Sequence, residues 1–523
     1  MHIGIDVGGT NTDAVLVDGR EVLAETKTGT TLDVTTGIVH AVQRLQEVCA
    51  FHPDDVRAVM IGTTHFVNAI VEGRGLAQTA AVRLGLPATK ALPPFVDWPQ
   101  RLRGVIGGYS YLCHGGHEYD GRVISPLNED ELRGVATDIA AKGVRSVAIS
   151  SVFSLVNGDF ERQAAEILTA EVPDLMVSFS HEIGRIGLLE RENATIINAA
   201  LRELAEQIAD GLIDSLLTQG IHAPLYLSQN DGTLMDIEYA RCYPVATFAS
   251  GPTNSMRGGA FLSGLGECAV VDVGGTTTDV GLLHNGFPRE ASSEVSISGV
   301  RTNFRMPDVM SVGLGGGSVV RETENGVTIG PDSVGYLLTR KALVFGGDTL
   351  TATDVAVAAG VADIGDPSRV RHLAPTLVTT VMNQIRTRVE GIVDRIRTSP
   401  APLPVVLVGG GSILLPGELE GVADVVRPEH HGVANAIGAA IAQVGGEVDR
   451  VFTMDPAHRD KTLDAARQEA VDKAVAAGAR ADTVRIVEVE EIPLAYLPGN
   501  ASRIRARAVG ELVFEDVARR ARA

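Results

Sequence analysis

"IDVGGTNTDAVLVDG", residues Ile5–Gly19, sets a pair of glycines and a run of hydroxyl and amide side chains between two short apolar stretches. Nearly the same string returns about half the chain later as "VDVGGTTTDVGLL", Val271–Leu283. With Asp6 laid on Asp272, the octets Asp6–Asp13 and Asp272–Asp279 differ only where Asn11 meets Thr277. Paired glycines let a hairpin turn tightly and present bare N–H groups, and threonine and asparagine side chains add donors, so such a loop suits phosphate oxygens. A carboxylate at the end of the first strand cannot favourably face a phosphate itself. It can hold Mg²⁺ or the waters of Mg²⁺, which bridges the two negative groups. A single G-G-T hairpin is as readily a plain tight turn; two aligned copies facing each other would grip a polyphosphate from both ends.

A third glycine turn strengthens the pattern. Gly409-Gly410-Gly411-Ser412 follows the apolar strand "PVVLV" as another glycine-rich turn at a strand end. A further string, "SVGLGGGSVV" at Ser311–Val320, either lines the same site or merely permits close backbone packing.

Around these loops, strands and helices alternate. "TTGIVHAVQRLQEVC" carries Ile38, Val42, Leu45 and Val48 at helical spacing, and "AVMIGTT" reads as a buried strand ending in hydroxyls. Leu92–Asn128, rich in Gly, Pro, Tyr and His, reads as an irregular insertion. Helices are expected over Glu129–Lys142 and Gly158–Glu171, a long one over Glu192–Gly220 connecting two lobes, and another over Pro375–Ser399. Beyond about Val448, a helix at Lys461–Ala477 and strands near Thr483–Ile492 and Ser502–Phe514 read as a small C-terminal α/β segment. The expected division is 1–187, 188–447 and 448–523.

Bulk properties narrow the function. A chain of 523 residues exceeds one core and has room for an interdomain cleft. A formal charge of −20 disfavours a nucleic-acid or anionic-membrane partner, and none is expected, because phosphate polymers need a Lys/Arg surface to replace their counterions. Cys49, Cys113, Cys242 and Cys268 are scattered without C-x-x-C spacing, as expected of reduced thiols in the cytoplasm. The opening "MHIGIDVGG" has neither a basic nor an apolar leader, and no apolar stretch is long enough to span a bilayer, so a soluble cytoplasmic protein is expected.

The duplicated D-x-G-G-T-x-T-D resembles the phosphate loops of the actin, hexokinase and Hsp70 superfamily. "HHGVANAIGAAIA", His430–Ala442, resembles its closing helix. Within that superfamily four strings resemble the hydantoinase A and oxoprolinase family. They are "IGTTHFVNAIVEGRG", "HEIGRIGLLERENATIINAAL", "SQNDGTLMDIEYARCYPVATFASGPTNSMRGGA" and "GLGGGSV". The chain departs at Gly73, where Arg is usual, at Asp231, where Gly is usual, and through Gly330–Asp354, where a Gly-, Pro- and Cys-rich segment is usual. The resemblance implies a duplicated actin-like (ribonuclease H-like) α/β fold with a small C-terminal α/β segment. It also implies ATP and Mg²⁺, and a hydrolase that phosphorylates the carbonyl oxygen of a lactam, hydantoin or related cyclic amide, with or without a B-type partner subunit.

By the same resemblance, Gly8, Gly9, Thr10, Asn11 and Thr12 bind the terminal phosphates. Gly274, Gly275, Thr276 and Thr277 bind the others, and Gly409, Gly410 and Gly411 pack on the adenosine. Asp6 and Asp272 hold Mg²⁺ and, with Arg191, are the candidate catalytic residues. Thr64 and Asn230 are candidates for the cleft wall. Asp13 and Asp279 either approach the metal or substrate or brace their hairpins. His114 and His117 are spaced like a metal pair but sit in a stretch with no helical pattern, which favours loop histidines. Two other readings share the loops, an ATP-driven reactivating factor for another enzyme and a small-molecule kinase.

Overall fold

The computed structural model describes residues 1–29, 34–291, 295–324, 326–441, 443–454, 457–494 and 500–514. Both copies of the repeat form the same hairpin. β1 (His2–Val7) pairs antiparallel with β2 (Asn11–Asp18), placing Asp6 opposite Asp13, and the Gly8 N–H closes the turn on the Asn11 carbonyl at 3.0 Å. β11 (Cys268–Val273) pairs with β12 (Thr278–His284), placing Asp272 opposite Asp279, and the Gly274 N–H closes on the Thr277 carbonyl at 2.9 Å. β1 buries Ile3, Ile5 and Val7 on one face and lays Gly4 against Ala436 and Ala440 on the other, and β11 is apolar on both faces, so each hairpin belongs to a sheet covered on both sides.

The first sheet adds β3 (Glu21–Gly29) beyond β2, and on the other side β4 (Ala58–Thr63), β9 (Leu225–Ser228) and β10 (Leu234–Asp236). It then continues through β21 (Gln443–Thr453), β23 (Ala501–Glu511) and β22 (Arg485–Pro493), in the order β22-β23-β21-β10-β9-β4-β1-β2-β3. The second sheet is built of β13 (Phe287–Pro288), β12, β11, β19 (Val405–Val408) and β20 (Val425–Val426), with β16 (Val309–Val312) on β12. A third, all-parallel sheet is formed by β6 (Tyr109–His114), β5 (Thr79–Leu86), β7 (Ser146–Ser151) and β8 (Met176–Phe179) in that order. Two ribbons, β14 (Val295–Ile297) with β15 (Val300–Thr302) and β17 (Ser318–Thr323) with β18 (Gly326–Ser333), complete the strands. The duplicated actin-like α/β architecture is therefore present.

Several expectations change in detail. The stretch Leu92–Asn128 holds a helix, Gln100–Val105, and the edge strand β6; only Cys113 of that strand is buried, so no apolar alternation marks it. The long helix runs Leu188–Thr218 and delivers the chain to β9, back in the first sheet, rather than to the second. The sheets do not part at 188 or 448, since β9, β10 and β21 to β23 all extend the first sheet. The C-terminal α/β segment is present over its described residues, and its helix, Arg459–Ala476, packs Ala466, Ala470 and Ala474 on the apolar face of β21 and β23. Residue 442, at the end of the closing-helix string, and residues 515–523 lie outside the described residues.

The other face of that C-terminal sheet is charged. Arg503, Arg505 and Arg507 alternate with Ile504 and Ala506 along β23; Arg505 and Arg507 lie across from Asp449 and Glu447 on β21 and from Glu490 and Glu488 on β22, and Arg503 reaches Asp449 diagonally at 2.6 Å. This face meets Arg185, Asp231, Glu290 and Arg305 in a half-buried to buried ionic seam. Burial disfavours the charge on Glu290, yet the guanidiniums of Arg305, Arg505 and Arg185 outweigh it and hold the carboxyl below its usual range.

Candidate nucleotide and metal site

The two hairpin tips touch. A methyl on Gly275 would stand 3.3 Å from Cγ2 of Thr10, so the repeated loops face each other directly, as the pattern predicts. Their tips are open to solvent at Gly9, Thr276 and Thr277, while the flanking Thr12 and Thr278 are buried.

The third glycine turn closes on the same point. β19 runs parallel to β11 with Val408 beside Asp272, and Gly409 follows at a φ of 83°. A side chain there would be strained by that φ, and its Cβ would lie 2.2 Å from Oδ1 of Asp272. Gly409 donates its N–H to the His431 carbonyl at 2.8 Å, which ties the turn to the segment entering the Ala434–Ala440 helix. The "GLGGGS" loop packs on the second hairpin through backbone, Gly316 and Gly317 donating to the carbonyls of Gly274 (3.0 Å) and Gly275 (2.7 Å). Of the two readings of that loop, close backbone packing is the one seen.

The candidate carboxylates are held by residues that the motif reading had not singled out. Asn254 and Ser255 are neighbours in the helix Ser250–Ser263. The Asn254 amide donates to Oδ1 of Asp6 at 3.3 Å, and the Ser255 hydroxyl donates to Oδ2 of Asp272 at 2.5 Å. One helical step thus engages both hairpins. Asn435, from the Ala434–Ala440 helix, donates to the second oxygen of Asp6 at 3.0 Å. The two helices cross at backbone contact, for a Cβ on Gly258 would lie 1.8 Å from the Ala434 carbonyl oxygen and one on Gly438 1.8 Å from that of Asn254. The string "HHGVANAIGAAIA" is expected as a closing helix, whereas the helix over "SGPTNSMRGG" and what either helix holds emerge only from the fold.

Lys27, on β3, carried no motif. Its ammonium stands 3.0 and 3.1 Å from the two oxygens of Asp13, donates to the Gly432 carbonyl at 3.0 Å, and passes 3.9 Å from where a side chain on Gly410 would begin. Asp13 is thereby a brace for a cation, and Asp279 is braced in turn by the hydroxyls of Ser311 and Thr277.

Electrostatically the site waits for positive charge. Burial pushes the Asp6 carboxyl up to about 6 against the hydrogen bonds of Asn254 and Asn435, and Asp13 pushes the same way. Burial likewise pushes Asp272 up to about 7, with Asp279 and Asp6 adding to it. Carboxylates held part-way to neutral in this manner are stabilised by a hard divalent cation, which prefers oxygen ligands and keeps several waters. No group of three or more His, Cys, Asp or Glu placed for a metal occurs among the described residues. Asp6 and Asp272 offer the oxygen donors that a hard divalent cation such as Mg²⁺ takes, with water and phosphate able to complete its shell.

The remaining candidates lie apart or serve as supports. Arg191 is buried at the start of the long helix and donates to Oγ of Ser180 (3.1 Å), to the Arg185 carbonyl (3.1 Å) and to the Ser151 carbonyl (2.7 Å), all beside the third sheet. Asn230 donates to Val245 O at 3.0 Å and accepts from the Ala249 N–H at 2.7 Å, so it shapes the entry to the Ser250–Ser263 helix. Thr64 stands against that entry, 3.6 Å from a would-be Cβ on Gly251. His114 pairs with Glu131 at 2.7 Å, and His117 stacks on Phe160, so the two do not form a metal pair.

Comparison with known proteins gives the family and the fold. The family model of the hydantoinase/oxoprolinase N-terminal region matches residues 2–172, and that of hydantoinase/oxoprolinase matches residues 191–363. The caprolactamase subunit alpha of Pseudomonas jessenii is 28% identical over 387 residues, 69% of this chain and 54% of that protein. The acetophenone carboxylase gamma subunit of Aromatoleum aromaticum is 27% identical over 398 residues, 68% of this chain and 53% of that protein. The chain thus spans about half the length of the curated relatives it matches. Among solved structures, the ATP-dependent caprolactamase from Pseudomonas jessenii shares the fold, with a TM-score of 0.76 at 19% identity over 97% of this chain and 87% of that one. No described helix is long and apolar enough to cross a membrane.

Proposed function

Since this chain belongs to the hydantoinase/oxoprolinase family, we propose that it is an ATP-dependent hydrolase that opens a lactam, hydantoin or related cyclic amide by phosphorylating its carbonyl oxygen, and that it works with a partner subunit. The observation that carries this reading is the convergence of two phosphate hairpins on Asp6 and Asp272, each held by one of two consecutive residues of a single helix. Relatives that include a caprolactamase subunit and a carboxylase subunit support a carbonyl compound as the second substrate.

The chemistry has a plain logic. An amide carbon is a poor electrophile. When the amide oxygen attacks the terminal phosphorus, the bond to the bridging oxygen of ADP breaks and the amide oxygen becomes part of a phosphate leaving group. Water then adds at carbon, and the adduct breaks its C–N bond as the ring nitrogen takes a proton, leaving an acyl phosphate; a second water splits this into the carboxylate and free phosphate. Phosphoryl transfer asks for positioning and charge neutralisation more than for covalent help. Asp6 and Asp272 would hold Mg²⁺, which when bound neutralises phosphate charge. The hairpin N–H groups orient the phosphate oxygens, and Lys27 supplies a fixed ammonium between the first hairpin and the glycine turn. Arg191 stiffens the junction of the third sheet and the long helix and touches no reacting atom in this reading.

The test is release of ADP and phosphate by the purified chain, alone and with a partner subunit of the B type, against a panel of lactams, hydantoins and 5-oxoproline. Phosphate release that requires the cyclic amide supports the proposal. A stable phosphorylated product would mark a kinase, and slow substrate-independent turnover an activating factor. Failure to bind ATP would sink all three.

A further inference from the structure

The two hairpin loops Gly8–Thr12 and Gly274–Thr277 and the turn Gly409–Ser412 contain no lysine or arginine. Four carboxylates, Asp6, Asp13, Asp272 and Asp279, stand on the strands that carry the hairpins. A polyphosphate entering between the loops would therefore meet backbone dipoles, hydroxyls and acidic side chains. A divalent cation on Asp6 and Asp272 neutralises only part of that combined charge. Lys27 brings a further cation to this point.

The contacts of Lys27 hold its ammonium in place without using all of it. In the register of β2 with β3, Lys27 lies across from Asp13. Its ammonium donates to Oδ2 of Asp13 at 3.1 Å and to the Gly432 carbonyl at 3.0 Å, while Oδ1 of Asp13, at 3.0 Å, accepts no hydrogen bond. An ammonium has three N–H donors, so one remains without an acceptor among the described residues. Glu25, on the same face of β3, does not take it, being paired with His430 at 2.7 Å. The donor is also within reach of a ligand, since the Lys27 side chain is 38% exposed and its ammonium lies 3.9 Å from where a side chain on the exposed Gly410 would begin. Burial raises the carboxyls of Asp6, Asp13 and Asp272, and the Lys27 charge opposes it at each of them, so the ammonium acts on both hairpins.

We propose that the remaining N–H of Lys27 binds the middle phosphate of ATP, the one that becomes the terminal phosphate of ADP, and that Asp13 is the positioning residue that aims it. The assignment rests on the nucleotide reading of the preceding section, in which the glycine turn takes the adenosine and the first hairpin the terminal phosphates. An ammonium fixed between Asp13 of that hairpin and Gly410 of that turn falls at the middle of the phosphate chain. When the bond from the terminal phosphorus to the bridging oxygen breaks, its electron pair stays on ADP. A fixed ammonium beside that phosphate stabilises the developing charge and keeps its own proton.

Displacement of a fluorescent ATP analogue from the full chain, with Mg²⁺ present, measures the affinities for ADP and AMP. Lys27→Met lowers ADP affinity about 10–100-fold and leaves AMP affinity within about twofold of the parent, because a charge-assisted hydrogen bond to the second phosphate is lost. Asp13→Asn keeps the ammonium on the Gly432 carbonyl and lowers ADP affinity no more than about threefold. The double variant Lys27→Met with Asp13→Asn leaves no unpaired buried carboxylate; it melts as the parent does and shows the same ADP loss as Lys27→Met. Unchanged ADP affinity in Lys27→Met, an equal loss for AMP, or an equal loss in Asp13→Asn overturns the assignment, the last because the pair would then only brace the hairpin. In each of those cases the parent still binds ADP and the nucleotide reading stands. A parent that binds neither ATP nor ADP removes that reading and the assignment together.

Discussion

Asp6 and Asp272 are carboxylates whose surroundings resist their ionisation, and the direction of that effect fixes its consequences. A folded-state value of about 6 or 7 lies above the ordinary carboxylate value, so the unfolded chain releases these protons first. The contribution of these two groups to the stability of the metal-free protein therefore falls as pH rises from about 4 to 7. Mg²⁺ must displace the same protons, so its binding in the presence of nucleotide tightens over pH 5.5–8 and releases protons. Titration in two buffers of different ionisation enthalpy measures that release, and a pH-independent affinity would contradict the assignment. Asp272→Asn should abolish turnover while its melting midpoint at pH 8 equals or exceeds that of the parent, because an unfavourable buried charge has been removed. Asn254→Ala removes a hydrogen bond that favours the ionised form of Asp6. The expected result is a ~10–100-fold lower kcat and an acid limb of the pH–rate profile displaced to higher pH.

At the scale of elements, the site depends on two short helices that cross with backbones in contact. The helix Ser250–Ser263 reaches both hairpins only because Gly258 lets it lie against Ala434, and Gly438 repeats the device from the other side. Gly258→Ala introduces a Cβ where the carbonyl of Ala434 stands, and the helices must separate. We expect a loss of about 3 kcal/mol or more by chemical denaturation, with nucleotide affinity falling in parallel. A parent-like midpoint would mean that the helices cross differently. The sequence announced the Ala434–Ala440 helix by its small residues and the hairpins by repetition, but not the helix Ser250–Ser263. It did not announce Lys27, because a lysine on an exposed strand has no pattern, and its role depends on β3 lying beside the entry to the Ala434–Ala440 helix.

At the scale of the whole molecule, the C-terminal strands complete the first sheet and present a charged face to the body. Arg505 bridges Glu290 and lies against Glu447 and Glu488, joining residues that are far apart in sequence. Truncating one member of a buried ionic set leaves its partners uncompensated, so Arg505→Met should cost about 3–5 kcal/mol. Adding Glu290→Gln should recover part of that loss, and a double-mutant cycle on unfolding midpoints reads the coupling. Strict additivity would show that the two do not share an interaction.

The amino-acid sequence alone determined the duplicated hairpins, the third glycine turn and the carboxylates Asp6 and Asp272, because each is a local arrangement of residue types whose backbone demands can be read within ten positions. The tertiary structure alone decided that β9, β10 and the C-terminal strands belong to the first sheet and that Arg191 stands beside the third sheet. It alone decided that Asn254, Ser255, Asn435 and Lys27 hold the carboxylates. Asn254 and Asn435 reach Asp6 from 248 and 429 residues away, and even Lys27 with Asp13 and Ser255 with Asp272, 14 and 17 residues apart, meet only through strand pairing or helix packing. Such contacts are set by which edges and faces remain to be covered once the local elements have formed, and no short window of sequence contains both partners.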